Sequence, residues 1–276
     1  KIMDMIRYPE RLTYAGRLDK DSEGLILLTN DGDLINAMMR GANRHEKEYI
    51  VKTIVTTETI KTIAERNGVE MYDVYTGFKW IANVMRENEG KKNYIGGGEE
   101  SYGFLCEDFV RDKDAVSACV ILAEIAAWAK DQGLSLYQLL QKIYVEYGFS
   151  KEKGISVVKK GKSGAEEIEA MMKKFRENPL TEIAGSKVTY FYDYSTLKGK
   201  DYAENETVTL DMPTTSNVLQ YFTEDNTKVS IRPSGTEPKI KFYCEVHSKV
   251  KSIDELPEAE KAAEEKINQI KASLGI

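Results

Sequence analysis

The sequence is poor in the residues that carry redox and metal chemistry: of 276 residues, three are cysteine and two are histidine. Cys106, Cys119 and Cys244 are odd in number and widely spaced, so they form no metal-ligand pattern and read as reduced, core-packing thiols. His45 and His247 each stand alone, which argues against a zinc site and against a histidine-dependent triad. No apolar run reaches the ~18 residues of a membrane-spanning helix, and Lys1 to Glu10 lacks a hydrophobic signal core. There is no internal repeat or low-complexity tract. Excess positive charge is also missing. The net charge of −6 and pI near 5.3 disfavour non-specific nucleic-acid binding, although a local basic loop can still hold a phosphate. What remains is an acidic cytoplasmic protein, bound to no membrane, whose length suggests about two domains.

Two loops carry chemistry. In Ser230-Ile-Arg-Pro-Ser-Gly-Thr-Glu-Pro-Lys-Ile-Lys-Phe-Tyr243, a cation, hydroxyls and backbone amides meet in a turn between two strand-like runs. Arg232 can fork two hydrogen bonds onto phosphate oxygens, Ser234 and Thr236 add hydroxyl donors, and Gly235 lets the backbone approach an anion. Pro233 and Pro238 stiffen the turn and reduce the entropy lost on binding. The second loop, Tyr94-Ile-Gly-Gly-Gly-Glu-Glu-Ser-Tyr-Gly-Phe104, sets three glycines before paired carboxylates. That suits a backbone pressed against a polyhydroxylated ligand, with Glu99 and Glu100 accepting from sugar hydroxyls and Ser101 donating or accepting.

In order, these two loops resemble the phosphohexomutase superfamily, specifically its phosphoglucomutase/phosphomannomutase branch. The resemblance runs from about Glu48 to the C-terminus. It implies that Glu99, Glu100 and Ser101 form the sugar-binding loop of that family's third domain, and that Arg232, Ser234, Gly235 and Thr236 form the phosphate-binding loop of its fourth. Lys79, in Tyr75-Thr-Gly-Phe-Lys-Trp80, matches an active-site lysine, with a role in proton transfer or charge stabilisation. The implied ligand is a hexose phosphate or bisphosphate, and the parent reaction is phosphate transfer between C1 and C6 of a hexose phosphate. The family's phosphoserine and its Mg2+-holding DxDxD loop have no visible counterpart. The resemblance therefore implies no cofactor in this chain, Mg2+ being held by a domain of the parent mutase that has no counterpart here, and a binding half that is inactive alone, with a complementing chain or self-association as the protein partners left open. Asp31-Gly-Asp33, the nearest analogue of the metal loop, reads as a turn.

The first residues carry other motifs. Gly16-Arg-Leu-Asp-Lys-Asp-Ser-Glu-Gly24 and His45-Glu-Lys-Glu-Tyr49 are similar to the small-subunit-type pseudouridine synthases, which implies Asp19 as nucleophile and Tyr49 as the tyrosine of the KEY motif. The chain thus looks chimeric, joined within a strand around Lys47 to Lys52 that suits both families. Segment 1–48 holds eight Lys or Arg against nine Asp or Glu, no footprint for an RNA backbone, so RNA modification through Asp19 is the alternative rather than the leading function. A structural module with relic loops is a second alternative.

Periodicity supplies the architecture. A buried strand is expected at 49–55, then a helix capped by Thr57 and closed at Gly68, a strand at Met71 to Tyr75, and a helix from about Lys79 to Asn88. A long apolar helix follows Asp114 from Ala115 to Gln132, and Ser135 opens another that stops at Gly148. Ser163-Gly-Ala-Glu166 has capping-box spacing. After it, Val188, Tyr190, Tyr192 and Tyr194 alternate, and Ile240, Phe242, Cys244 and Val246 present one apolar face, leaving Lys241 on the opposite side, toward a phosphate. Leu256, Ala259, Ala263, Ile267, Ile270 and Leu274 at helical spacing should cover that sheet. The expected fold is a three-layer α/β domain at 49–180, then a smaller α+β domain with an antiparallel sheet at 181–276, after a synthase-like fragment at 1–48.

Overall fold

A computed structural model describes residues 12–15, 27–31, 33, 47–159, 161–235 and 237–276. Near the start, β1 (Thr13–Ala15) and β2 (Leu27–Thr29) pair antiparallel. Asp19, Arg17 and most of the synthase-like motif lie outside the described residues.

The first unit is built on β3 (Glu48–Thr53), which runs parallel to β4 (Glu70–Val74) on one side and β5 (Asn93–Glu99) on the other; β6 (Gly103–Cys106) folds back antiparallel on β5. Strand alternation puts Tyr49 and Val51 on one face beside Val74, Tyr94 and Leu105. Helix α2 (Phe78–Asn88) lays Phe78, Ile81 and Met85 on that face. Helix α1 (Thr59–Arg66) rests on β4, and α3 (Ala115–Asp131) rests on β6 and on α4 (Leu136–Tyr147). The carboxylate of Asp114 caps α3 by accepting from the Val116 and Ser117 amides, and Ser135 and Gln138 form a reciprocal capping box on α4. Thr57 is not the cap of α1. That position belongs to Glu58, and the Thr57 hydroxyl donates instead to Glu245 at 3.0 Å. Helix α3 is apolar on nearly every side and leaves Val116, Val120, Leu122, Ile125 and Trp128 exposed.

The second unit is an eight-stranded antiparallel sheet. Its order is β11 (Glu206–Thr209), β10 (Lys198–Asp201), β9 (Ser186–Asp193), β12 (Leu219–Thr223), β13 (Lys228–Pro233), β14 (Lys239–Ser248) and β7 (Phe149–Val158), with β8 (Glu182–Ile183) added to β9. Strand β7 pairs with β14 along its whole length, and α5 (Gly161–Glu177) packs beside β13 and β14. The division expected at residue 180 therefore moves back to about 148, and the antiparallel unit is the larger of the two. Strand β7 escapes a hydrophobic pattern because two of its helix-facing positions are Lys151 and Lys153. Lys151 is neutralised by Glu260 and Glu264 on α6 (Leu256–Leu274), both at 2.9 Å. Ser163 lies inside α5 rather than at its start.

Each strand of this sheet has two distinct sides. Val229, Ile231, Ile240, Phe242, Cys244 and Val246 form the core with α5 and α6, to which α6 contributes Leu256, Ala263, Ile267, Ile270 and Leu274. The opposite side carries Lys228, Ser230 and Arg232 on β13 and Lys241, Tyr243 and Glu245 on β14, in register with one another. Lys241 therefore points away from the core, as the alternation predicts. Strand β9 departs from simple alternation: a register shift against β12 turns Val188 into the helix-side core, while Tyr192 and Tyr194 face the first unit. Phe242→Ala is expected to lower the unfolding free energy by ~3–5 kcal/mol through an unfilled cavity, and Lys241→Ala by less than ~0.5 kcal/mol; urea unfolding of both variants checks the assignment of the two sides.

Candidate functional site

The polar side of the antiparallel sheet is covered by the first unit, and the seam is held by buried charge. Lys228, with a side chain only 2% exposed, gives its ammonium to the Thr56 carbonyl at 2.8 Å, to Glu58 at 2.6 Å and to Glu245 at 2.9 Å. Lys52 shares Glu58 at 2.9 Å and holds Asp73 at 2.6 Å. Glu245 also accepts from the Glu58 amide at 2.6 Å and meets His247 Nε2 at 2.8 Å. Burial alone would raise the Glu245 pKa, but the His247 hydrogen bond and the Lys228 charge outweigh it and bring the value down to about 2. Burial works against the Lys228 charge, yet Glu245 and Glu58 keep its pKa raised. Further along the seam, Gln220 Nε2 donates to the Ile54 carbonyl at 2.7 Å, and the Tyr75 hydroxyl donates to the Thr214 carbonyl at 2.7 Å.

These contacts set the β5–β6 hairpin over β14 and enclose a cleft of about 390 Å3 lined by Glu100, Ser101, Lys241 and Tyr243, with Gly154 and Ser156 of β7. Glu100 accepts from the Thr53 hydroxyl at 3.3 Å. Arg232 lies directly across the strand pair from Lys241, and the Tyr243 phenol faces both Glu100 and Arg232. The structure thus brings together Glu100, Ser101, Lys241 and Arg232 from the two sequence motifs, and adds Tyr243, which neither motif had singled out as functional.

Other expected site residues are placed elsewhere. Glu99 Oε1 accepts from the Gly77 amide at 2.6 Å, so this carboxylate ties the hairpin to the start of α2 instead of lining the cleft. Lys79 is exposed, its ammonium 5.1 Å from the Trp80 ring centroid. Ser234 lines an adjoining groove beside α5, and Gly235 is exposed in the turn; Thr236 lies outside the described residues. The amides of Ser234, Glu237 and Lys239 are engaged within the turn, by the Lys239 carbonyl, Ser234 Oγ and the Glu237 carbonyl respectively, where the sequence had suggested open donors. The glycines of β5 have a packing reason: a Cβ on Gly97 would sit 2.3 Å from the Val51 carbonyl oxygen. Among the described residues no three His, Cys, Asp or Glu side chains converge as metal ligands. Asp31 Oδ1 accepts from the Asp33 amide at 2.9 Å, the geometry of a turn, and this pair does not fit a Mg2+ site. Nor is any helix among them long and apolar enough to cross a membrane.

Two family models cover this architecture in order. Residues 31–147 match the phosphoglucomutase/phosphomannomutase alpha/beta/alpha domain III, and residues 156–263 match the C-terminal domain of the same family. The chain belongs to the phosphoglucomutase/phosphomannomutase family. It is 36% identical over 232 residues to a phosphoglucomutase of Staphylococcus aureus (strain MRSA252), covering 83% of this chain and 42% of the relative. With a phosphoglucomutase of Staphylococcus haemolyticus the identity is 35% over 214 residues, 78% of this chain and 39% of the relative. The chain thus spans about two-fifths of the length of these family members. In fold it resembles the open form of the phosphoprotein pp63/parafusin, a phosphoglucomutase from Paramecium, with a TM-score of 0.50 at 18% identity, over 80% of this chain and 37% of that one. The family matches lend no support to the pseudouridine synthase resemblance, and the domain III match begins within that segment.

The depressed pKa of Glu245 has a direct consequence for stability. Its folded value lies below its unfolded one, so its contribution is complete above the ordinary carboxylate pKa and is lost as pH falls through about 4 toward about 2. Urea midpoints measured between pH 6 and pH 2.5 should fall steeply below pH 4.5. Glu245→Gln should be less stable at pH 6 and show a shallower fall; an unchanged slope would remove Glu245 as the group responsible.

Proposed function

We propose that the cleft between the two units binds a hexose phosphate or bisphosphate, as part of a phosphoglucomutase or phosphomannomutase that moves phosphate between C1 and C6 of the sugar. The observation that carries this reading is the convergence of Glu100 and Ser101, from one unit, with Lys241, from the other, around one cleft, with Arg232 across the strand pair from Lys241 and beside Tyr243. Each pair suits one end of such a ligand. A carboxylate and a hydroxyl accept from and donate to neighbouring sugar hydroxyls, while a guanidinium and an ammonium neutralise a phosphate by charge-assisted hydrogen bonds. The Staphylococcus relatives named phosphoglucomutase support the choice of ligand.

Binding in this arrangement works through orientation. A phosphate gripped at the Arg232 side anchors one end of the sugar, and the hydroxyls read by Glu100 and Ser101 fix its rotation. Binding energy far from the reacting oxygen is then converted into positioning. In this reading Ser234, Gly235 and Thr236 complete the phosphate grip, and Lys79 with Glu99 serves the reacting end next to the hairpin. These roles require the phosphate turn and the start of α2 to approach the cleft more closely than the described positions place them.

Calorimetric titration of the 276-residue chain with glucose 1,6-bisphosphate should give saturable binding. Arg232→Ala should weaken it by ~1.5–3 kcal/mol, the range for a charge-assisted bond. Equal binding by both proteins would place the phosphate elsewhere.

A further inference from the structure

Tyr243 is buried, yet its hydroxyl makes no hydrogen bond of good geometry, although Glu100 and Arg232 lie within reach of it. A phenol that needed only to fill space would be a phenylalanine, because a buried hydroxyl with no partner is destabilising. Here the oxygen faces the Glu100 carboxylate and the Arg232 guanidinium, the groups assigned to the two ends of the ligand. The Lys241 ammonium lies 6.0 Å from the centroid of its ring.

Gly154 on β7 is the direct cross-strand neighbour of Tyr243. It sits inside a ten-residue strand, its φ is not in the left-handed region, and a Cβ added there would meet nothing within 4 Å. Neither backbone conformation nor close packing requires glycine at this position, and glycine weakens a strand interior. Its effect is to leave open floor in the cleft beside the Tyr243 hydroxyl. Both residues line the same cleft as Glu100, Ser101 and Lys241.

We propose that Tyr243 is a ligand-binding residue of this site, its hydroxyl donating to an oxygen of a phosphosugar that lies over Gly154 between Glu100 and Arg232. The proposal rests on the phosphosugar reading and adds to it a donor from β14 and a glycine that makes room for the ring. It explains why a tyrosine and a glycine face each other in the ladder: one supplies the hydrogen bond and the other the space.

The test titrates wild type, Tyr243→Phe, Gly154→Val and Arg232→Ala with glucose 1,6-bisphosphate, and measures the thermal midpoint of each without ligand. Tyr243→Phe should bind about tenfold more weakly while unfolding at the same or a higher temperature, since the oxygen removed makes no well-formed hydrogen bond in the ligand-free fold. Gly154→Val should also bind more weakly, through lost space. Wild-type affinity in Tyr243→Phe overturns the proposal. So does weak binding accompanied by a clearly lower midpoint, which would make the hydroxyl a structural bond within the fold. If wild type and Arg232→Ala both fail to bind, the phosphosugar reading falls and takes this proposal with it. If Arg232→Ala loses affinity and Tyr243→Phe does not, only the role of Tyr243 is withdrawn.

Discussion

The site depends on a buried ion network that joins the two units. Lys228 sits on the polar side of β13, where strand alternation leaves its ammonium beneath the first unit with almost no access to water. An unpaired ammonium there would be prohibitively unfavourable. The β3–α1 connection meets the need with the Thr56 carbonyl and Glu58, and β14 supplies Glu245. Such buried pairs are weak sources of net stability, because desolvation offsets most of the attraction. Their strength is selectivity: sliding the first unit along the strands would carry the Thr56 carbonyl and Glu58 away from Lys228 and leave its buried ammonium with Glu245 alone. The network therefore specifies one docking, and that docking hangs the Glu100–Ser101 hairpin over Tyr243 and Lys241.

The same alternation that builds the core builds the site. Along β13 and β14 one set of residues packs on α5 and α6, and the intervening set forms a polar surface that only a second polar unit can cover. Lys228 and Glu245 pair their charges beneath the first unit and also border the cleft, whose wall continues along β14 through Tyr243 to Lys241. A single pair of strands thus carries both the ionic joint and one wall of the cleft. Aromatic contacts flank this surface: Tyr75 of the first unit meets Tyr194 of the second edge-on, with ring centroids 5.7 Å apart. Such rings hold apolar area at the seam without adding charge.

Much of this was legible in the residues. The helix after Asp114, the one after Ser135 and the final helix follow local capping and periodicity, which act over a few residues and need no tertiary partner. The apolar side of β14 and the outward direction of Lys241 follow from alternation. Strand β7 was hidden, because a lysine that pairs with acids on α6 looks, in sequence, like a solvated loop residue. The displacement of Val188 depends on a bulge for which the alternation of Val188 with the tyrosines gives no sign. Thr57 and Ser163 carry cap-like spacing, but Thr57 is drawn to Glu245 across the seam and Ser163 falls within a longer helix.

The sequence by itself determined the chemistry of the two loops and the family that carries them, because hydroxyls, carboxylates and a guanidinium at short spacing act locally. Which of those groups share a cleft was decided only by the tertiary structure. Glu99 and Glu100 are adjacent in the chain, yet the hairpin turns one to the Gly77 amide and the other to the Thr53 hydroxyl and the cleft. Tyr243 gained its place from β7 and from the first unit, neither of which its own neighbours in sequence announce. The reason is geometric: a side chain's type is a property of one residue, whereas its surroundings belong to strands that pair and units that dock across more than a hundred residues of chain.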